Sequence, residues 1–213
     1  MRRRRPLRAA ALALTLLAAT AGPAAAGDKP PVRSLLELRQ ERVVIQQWDN
    51  SCGAAALATV LRHQFGEKVT ERQVAQGMLR RTDPLRVRHR GGFSLLDLKR
   101  YAEARGFAAD GYGELAPGDL PVLAPLIVPM RSRAGDHFVV VRGIAGGRVV
   151  LADPAVGNRM LPLPVFAAAW KDGIGFVVTP PGEPAVNRMA PGPADLVVPG
   201  AAAVRAALVP AVR

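Results

Sequence analysis

From Cys52 the chain reads Cys-Gly-Ala-Ala-Ala-Leu-Ala-Thr-Val-Leu, and Leu57, Val60, Leu61 and Phe65 recur on one face at helical spacing. This pattern predicts a helix that Asn50 or Ser51 caps and Gly66 ends. Just upstream, Arg42-Val43-Val44-Ile45-Gln46 reads as a short strand and Gln47 to Ser51 as a polar loop. A second helix is expected from Thr70 to about Leu79, because Thr70 and Gln73 have capping-box spacing. Residues 80–92 are basic and read as a turn-rich loop ending in Gly91-Gly92. A third helix starts at Ser94, with Asp97 three residues on, and stops at Gly106. Its stripe of Leu95, Leu98, Tyr101 and Ala102 reads as core packing.

The second half changes period. Val122 to Val128, His137 to Ile144, Arg148 to Ala152 and Gly175 to Thr179 read as strands, with Gly146-Gly147 as the hairpin turn between the middle two. Pro164 to Trp170 reads as a short helix. Helices first and strands afterwards predict an α+β fold rather than an alternating one. No internal repeat is visible.

The ends have a different composition. Arg2 to Arg5 and Arg8 precede an apolar run from Ala9 to Ala19, and Ala24-Ala25-Ala26 precedes Gly27. Charge, apolar stretch and small-residue site come in the order of a secretory signal peptide over residues 1–26, cleaved after Ala26. The run is shorter than the about 20 residues of a membrane span. No later segment is apolar enough for one, so the mature chain is expected to be soluble, without a transmembrane helix, and periplasmic. Residues 27–40 read as a polar lead-in and 41–180 as the domain. Residues 181–213 read as a flexible tail rich in Pro and Ala, with a short apolar helix near 201–208. The formal charge is +12, and removing the five signal arginines leaves about +7. Aromatics are only 5% and no nucleic-acid motif is present, so the basic balance does not imply a nucleic-acid partner. The basic stretch 79–92 reads as a solvated face, with an acidic client as the alternative.

The candidate chemistry centres on the single cysteine. A lone thiol in an exported chain forms no internal disulfide. Cys52 stands at the start of a helix, where unpaired N–H groups favour a thiolate. Of three histidines, His63 reads as a solvated helix residue, and His89 lies among Arg86, Arg88 and Arg90, which oppose a further positive charge. His137 opens a strand, and Asp153 closes the strand expected to pair with it across Gly146-Gly147. Antiparallel pairing brings these two to one end of the sheet, where a carboxylate can orient an imidazole. Gln46 and Gln47 both lie where a side chain could fold back as an oxyanion donor, and the Cys52 N–H is a second. No cofactor and no metal site are expected.

Together, Gln46, six residues before Cys52-Gly53, then His137-Phe-Val-Val-Val, then Asp153-Pro154 sixteen residues beyond the histidine, resemble the bacteriocin-processing, double-glycine-leader family of papain-like cysteine peptidases. The segment from Gly92 to Gly106 resembles that family's middle helix, and the likeness spans about residues 42–180. It implies a papain-like fold with a helical part packed on an antiparallel sheet. It also implies Cys52 as nucleophile, His137 as general base, Asp153 as its orienter and Gln46 as oxyanion donor, with Gln47 the substitute in another loop register. The signal peptide and the lack of transporter domains match the standalone exported branch, including members associated with functional-amyloid export. The implied function is an exported cysteine endopeptidase that processes a secreted polypeptide, with secretion or outer-membrane export machinery as partner. Two other readings of the same residues are a non-cleaving binding module or chaperone for an export client, and a thiol acyl hydrolase or transferase acting on cell-wall peptides.

Overall fold

The computed structural model of the chain describes residues 34–132, 135–182, 186–193 and 195. The signal segment 1–26 and the helix expected near 201–208 lie outside them. The order is α1 (Leu35–Gln40), α2 (Cys52–His63), α3 (Glu71–Leu79), α4 (Pro84–Arg90), α5 (Leu95–Glu103), β1 (Ala108–Tyr112), α6 (Leu120–Leu123), β2 (Leu126–Ser132), β3 (Gly135–Ala145), β4 (Arg148–Asp153), β5 (Gly157–Pro162), α7 (Leu163–Ala169) and β6 (Gly175–Thr179). The six strands form one sheet in the order β1-β6-β2-β3-β4-β5. Every pairing in it is antiparallel. The fold is α+β, with its helical half first.

The sheet is covered on both faces, which is why its central strands are apolar at consecutive positions. Val140, Ala152, Ile127 and Phe176 pack with α2, α3 and α5 in one cluster. Val139, Val141, Val149 and Leu151 pack on the other face with Leu120, Phe166 and Trp170. The alternation Val139, Val140, Val141 thus divides one strand between two cores. Helix α2 is buried from Gly53 to Leu61, more completely than a single stripe predicts. Its small residues permit this: a Cβ on Gly53 would stand 3.3 Å from both Leu98 Cδ1 and Phe138 Cδ2.

Several expectations are corrected. The strand expected at 42–46 does not form, and residues 43–47 have no regular secondary structure; they are held by Val44 N–H to Thr59 Oγ1 (2.9 Å) and Gln46 N–H to Pro154 O (2.9 Å). The basic loop contains a helix, α4, which buries none of its residues and therefore shows no apolar stripe. Its ends define it: Asp83 Oδ1 accepts the Leu85 N–H at 2.9 Å, Pro84 opens it, and Gly91 closes it at φ 79°. The lead-in contains α1, capped reciprocally by Ser34 and Glu37. Strand β2 begins at Leu126 because Leu120–Leu123 is helical. Strands β1 and β5 were not expected, since Ala-Ala-Asp-Gly-Tyr and Gly-Asn-Arg-Met-Leu-Pro have weak apolar alternation.

The tail is corrected most. Met189 is wholly buried in the core beside α2. Arg142, at a bulge in β3 and also wholly buried, donates from Nε to Met189 O at 2.8 Å and pairs through both terminal nitrogens with Asp195. Asn158 accepts from Arg142 Nη1 at 3.2 Å and donates to Glu41 O at 2.6 Å. One buried polar cluster therefore ties residues 186–193 and Asp195 and the segment after α1 to the sheet.

Candidate active site

Cys52 is the first residue of α2 and is half-buried. Strand β3 brings His137 beside it, where the imidazole lowers the thiol. His137 Nε2 lies 2.6 Å from Asp153 Oδ1, which leaves Nδ1 for the sulfur. The hairpin produces this contact. It turns through Gly146 (φ 56°) and Gly147 (φ 71°) and pairs Ala145 with Arg148 and Val140 with Ala152. The start of β3 and the end of β4 then share one end of the sheet.

Asp153 is 3% exposed and fully engaged. Its Oδ1 accepts from Ala155 N–H at 2.9 Å as well as facing His137, and its Oδ2 pairs with Arg159 Nη2 at 2.8 Å. Burial pushes its carboxyl up, but the His137 hydrogen bond and charge, Arg159 and the Ala155 amide together hold it below the ordinary range. Burial would likewise depress His137, yet its bonds to Asp153 and Cys52 raise it to about 9. The Cys52 thiol is raised by burial and lowered by His137 and by backbone hydrogen bonds at Phe138 and Gly53, with a net lowering. Both directions favour thiolate beside imidazolium near neutral pH.

Gln46 and Gln47 differ in setting. Gln47 is exposed, and its Nε2 donates to Ile45 O at 3.2 Å. Gln46 is half-buried, and its backbone bond to Pro154 fastens it to the sheet end that carries Asp153. Its Nε2 makes only a long 3.4 Å contact to Trp48 O, and its Oε1 is buried without a hydrogen-bond partner.

Sequence reasoning missed Arg159. It lies on β5, whose polar Asn158-Arg159 pair hid the strand; the register Leu151 to Arg159 aims it along the edge toward Asp153. The other histidines stand elsewhere. His89 is exposed on α4. His63, expected to be solvated, is half-buried on α2; burial and then Arg62, Arg42 and Arg142 lower its pKa. Among the described residues, no group of three or more His, Cys, Asp or Glu could hold a metal ion, and no helix is long and apolar enough to cross a membrane.

The model of the peptidase C39 family matches residues 40–182. A "Probable functional amyloid protease FapD" of Pseudomonas aeruginosa is 41% identical over 187 residues, 86% of this chain and 82% of that one. One of the same name from Pseudomonas fluorescens is 38% identical over 203 residues, 89% of this chain and 88% of that one. The crystal structure of a double glycine motif protease from an AMS/PCAT transporter, in complex with the leader peptide, superposes with TM-score 0.54 at 28% identity. It covers 65% of this chain and 90% of that one.

Proposed function

The chain belongs to the peptidase C39 family and is a cysteine peptidase, and on that premise we propose that it is an exported endopeptidase in which Cys52, His137, Asp153 and Gln46 process a secreted polypeptide. The observation that carries the site assignment is the linked series Cys52, His137, Asp153, with the thiol lowered and the imidazole raised to about 9. The FapD name of the relatives supports a client of a functional-amyloid export system. The arginine-rich, apolar, Ala-x-Ala order of residues 1–26 supports a periplasmic location, with the export machinery as partner.

The chemistry follows from the pair. The Cys52 thiolate attacks the scissile carbonyl carbon, and the carbonyl electron pair moves onto oxygen. That oxyanion accepts hydrogen bonds from the Cys52 N–H, one of the first-turn amides that a helix leaves without an internal partner, and from Gln46 Nε2. The long contact from Gln46 to Trp48 O costs little to exchange for this stronger, charged acceptor. His137 gives its Nδ1 proton to the amide nitrogen as the C–N bond breaks, and the new amino terminus leaves. Water then attacks the thioester while His137 takes its proton. Collapse releases the new carboxyl terminus and restores thiolate and imidazolium. Asp153, fixed by Arg159 and Ala155, holds the ring orientation throughout.

The test is to incubate the mature protein and its Cys52→Ala variant with exported proteins encoded beside it and to read intact masses. New termini that depend on Cys52 are expected. Stable complexes with uncut clients in both forms would instead identify a non-cleaving binding module.

A further inference from the structure

Glu71 is a buried acid that the proposed mechanism does not use. It is the first residue of α3 and is 3% exposed. Among the described residues no cation pairs with it. Its carboxylate instead faces the loop between Gln46 and Cys52. Gln47 N–H donates to Oε2 at 2.9 Å and to Oε1 at 3.1 Å, and Ser51 Oγ lies 2.5 Å from Oε1. Trp48 O lies 2.6 Å from the same hydroxyl and competes with Glu71 for its one proton. One carboxylate thus grips the loop at both of its ends, and its burial strengthens each contact.

These two grips fall beside the two groups that face the developing oxyanion. The Gln47 N–H belongs to the peptide that follows Gln46, and Ser51 supplies the carbonyl half of the peptide whose N–H is that of Cys52. A second observation points the same way. Ser51 is the N-cap of α2, yet its side chain makes no capping bond. A serine there ordinarily turns its hydroxyl onto the amides of the first turn. Drawn toward Glu71, it leaves those amides without a side-chain cap.

We propose that Glu71 is the positioning residue of the oxyanion site: by holding Gln47 and Ser51 it sets the Gln46 side chain and the Cys52 N–H at the spacing that stabilises the tetrahedral intermediate. This rests on the roles given above to Cys52 and Gln46. It separates two functions of the site, since the charge on the Cys52–His137 pair is set by His137 on β3 and Asp153 on β4, whereas the oxyanion donors are held from α3.

The experiment compares Glu71→Gln, Ser51→Ala and Gln46→Ala with wild type by two readouts. One is kcat and KM on a cleaved client; the other is the rate of Cys52 alkylation by iodoacetamide across pH. Alkylation displaces iodide and forms no oxyanion, so it reports the thiolate pair alone. For Glu71→Gln, kcat is expected to fall on the order of 10–100-fold, somewhat less than the 10²–10³ of losing an oxyanion donor outright. KM should stay within about twofold and the alkylation profile should stay unchanged. Ser51→Ala, which removes one grip and leaves α3 intact, should show the same split with a smaller loss. Adding Glu71→Gln to Gln46→Ala should cost less than in wild type, because one donor is already gone. Wild-type kcat in Glu71→Gln, or alkylation that falls in step with kcat, overturns the proposal. Full activity of Gln46→Ala overturns the oxyanion role of Gln46 itself, whatever Glu71→Gln does.

Discussion

At the scale of single residues, the site is a problem of proton placement. In the proposed mechanism His137 must keep its proton to give it to the leaving amine, and Cys52 must lose its own. The acid limb of kcat/KM therefore belongs to protonation of the Cys52 thiolate, which lies below the ordinary thiol range. The alkaline limb belongs to loss of the His137 proton near 9. Because the two groups interact, the measured limbs are properties of the pair. Asp153→Asn keeps the shape but removes the charge that helps to raise His137 from 6.5. The alkaline limb should move to lower pH, and kcat/KM at neutral pH should fall roughly 10–100-fold; a pH–rate profile of the variant checks both. An alkaline limb left near 9 would show that Asp153 does not set the charge on His137. Cys52 and the spacing of His137 and Asp153 could be read from the chain because each stands at the end of a strongly patterned element. Arg159 could not, since only pairing of β4 with β5 brings it to Asp153.

At the scale of elements, the helices cross closely where side chains are absent. Gly77 lies inside α3, where glycine costs about 1 kcal/mol relative to alanine. A Cβ there would come within 2.2 Å of Tyr101 Cε2 on α5. Gly77→Ala should therefore destabilise the protein by about 1–3 kcal/mol despite its better helix propensity, through overpacking of that crossing; urea denaturation reads this, and a gain in stability would mean that the ring moves aside freely. Gly92 is constrained differently: at φ 147°, a Cβ would lie 3.1 Å from Asn50 O, so the turn after α4 packs directly on the loop before Cys52. The apolar stripes of α2, α3 and α5 made those helices legible. Helix α4 carries no apolar stripe, since it rests on the core through Val87 and buries no residue fully, and its start and stop residues, Asp83-Pro84 and Gly91, are what mark it.

At the scale of the molecule, residues 34–42 and the segment of 186–193 and Asp195 meet through Arg142 and Asn158. Removing one partner of a buried pair strands the other charge, at a cost of about 3–5 kcal/mol. Asp195 retains some exposure, at 11%, so Asp195→Ala should lie near the lower end of that range. Chemical denaturation would measure it, and an unchanged midpoint would return this segment to the flexible tail that its composition suggests. The sequence by itself determined the elements with periodic apolar faces, the α+β class and the identity of the cysteine, histidine and carboxylate at their ends, because periodicity and element termini are local properties of the chain. Only the tertiary structure decided that a Pro- and Ala-rich segment is built into the core, that Arg159 completes the environment of Asp153 and that Glu71 grips the loop before Cys52. Each of those depends on partners between 6 and 53 residues away, which no local pattern encodes.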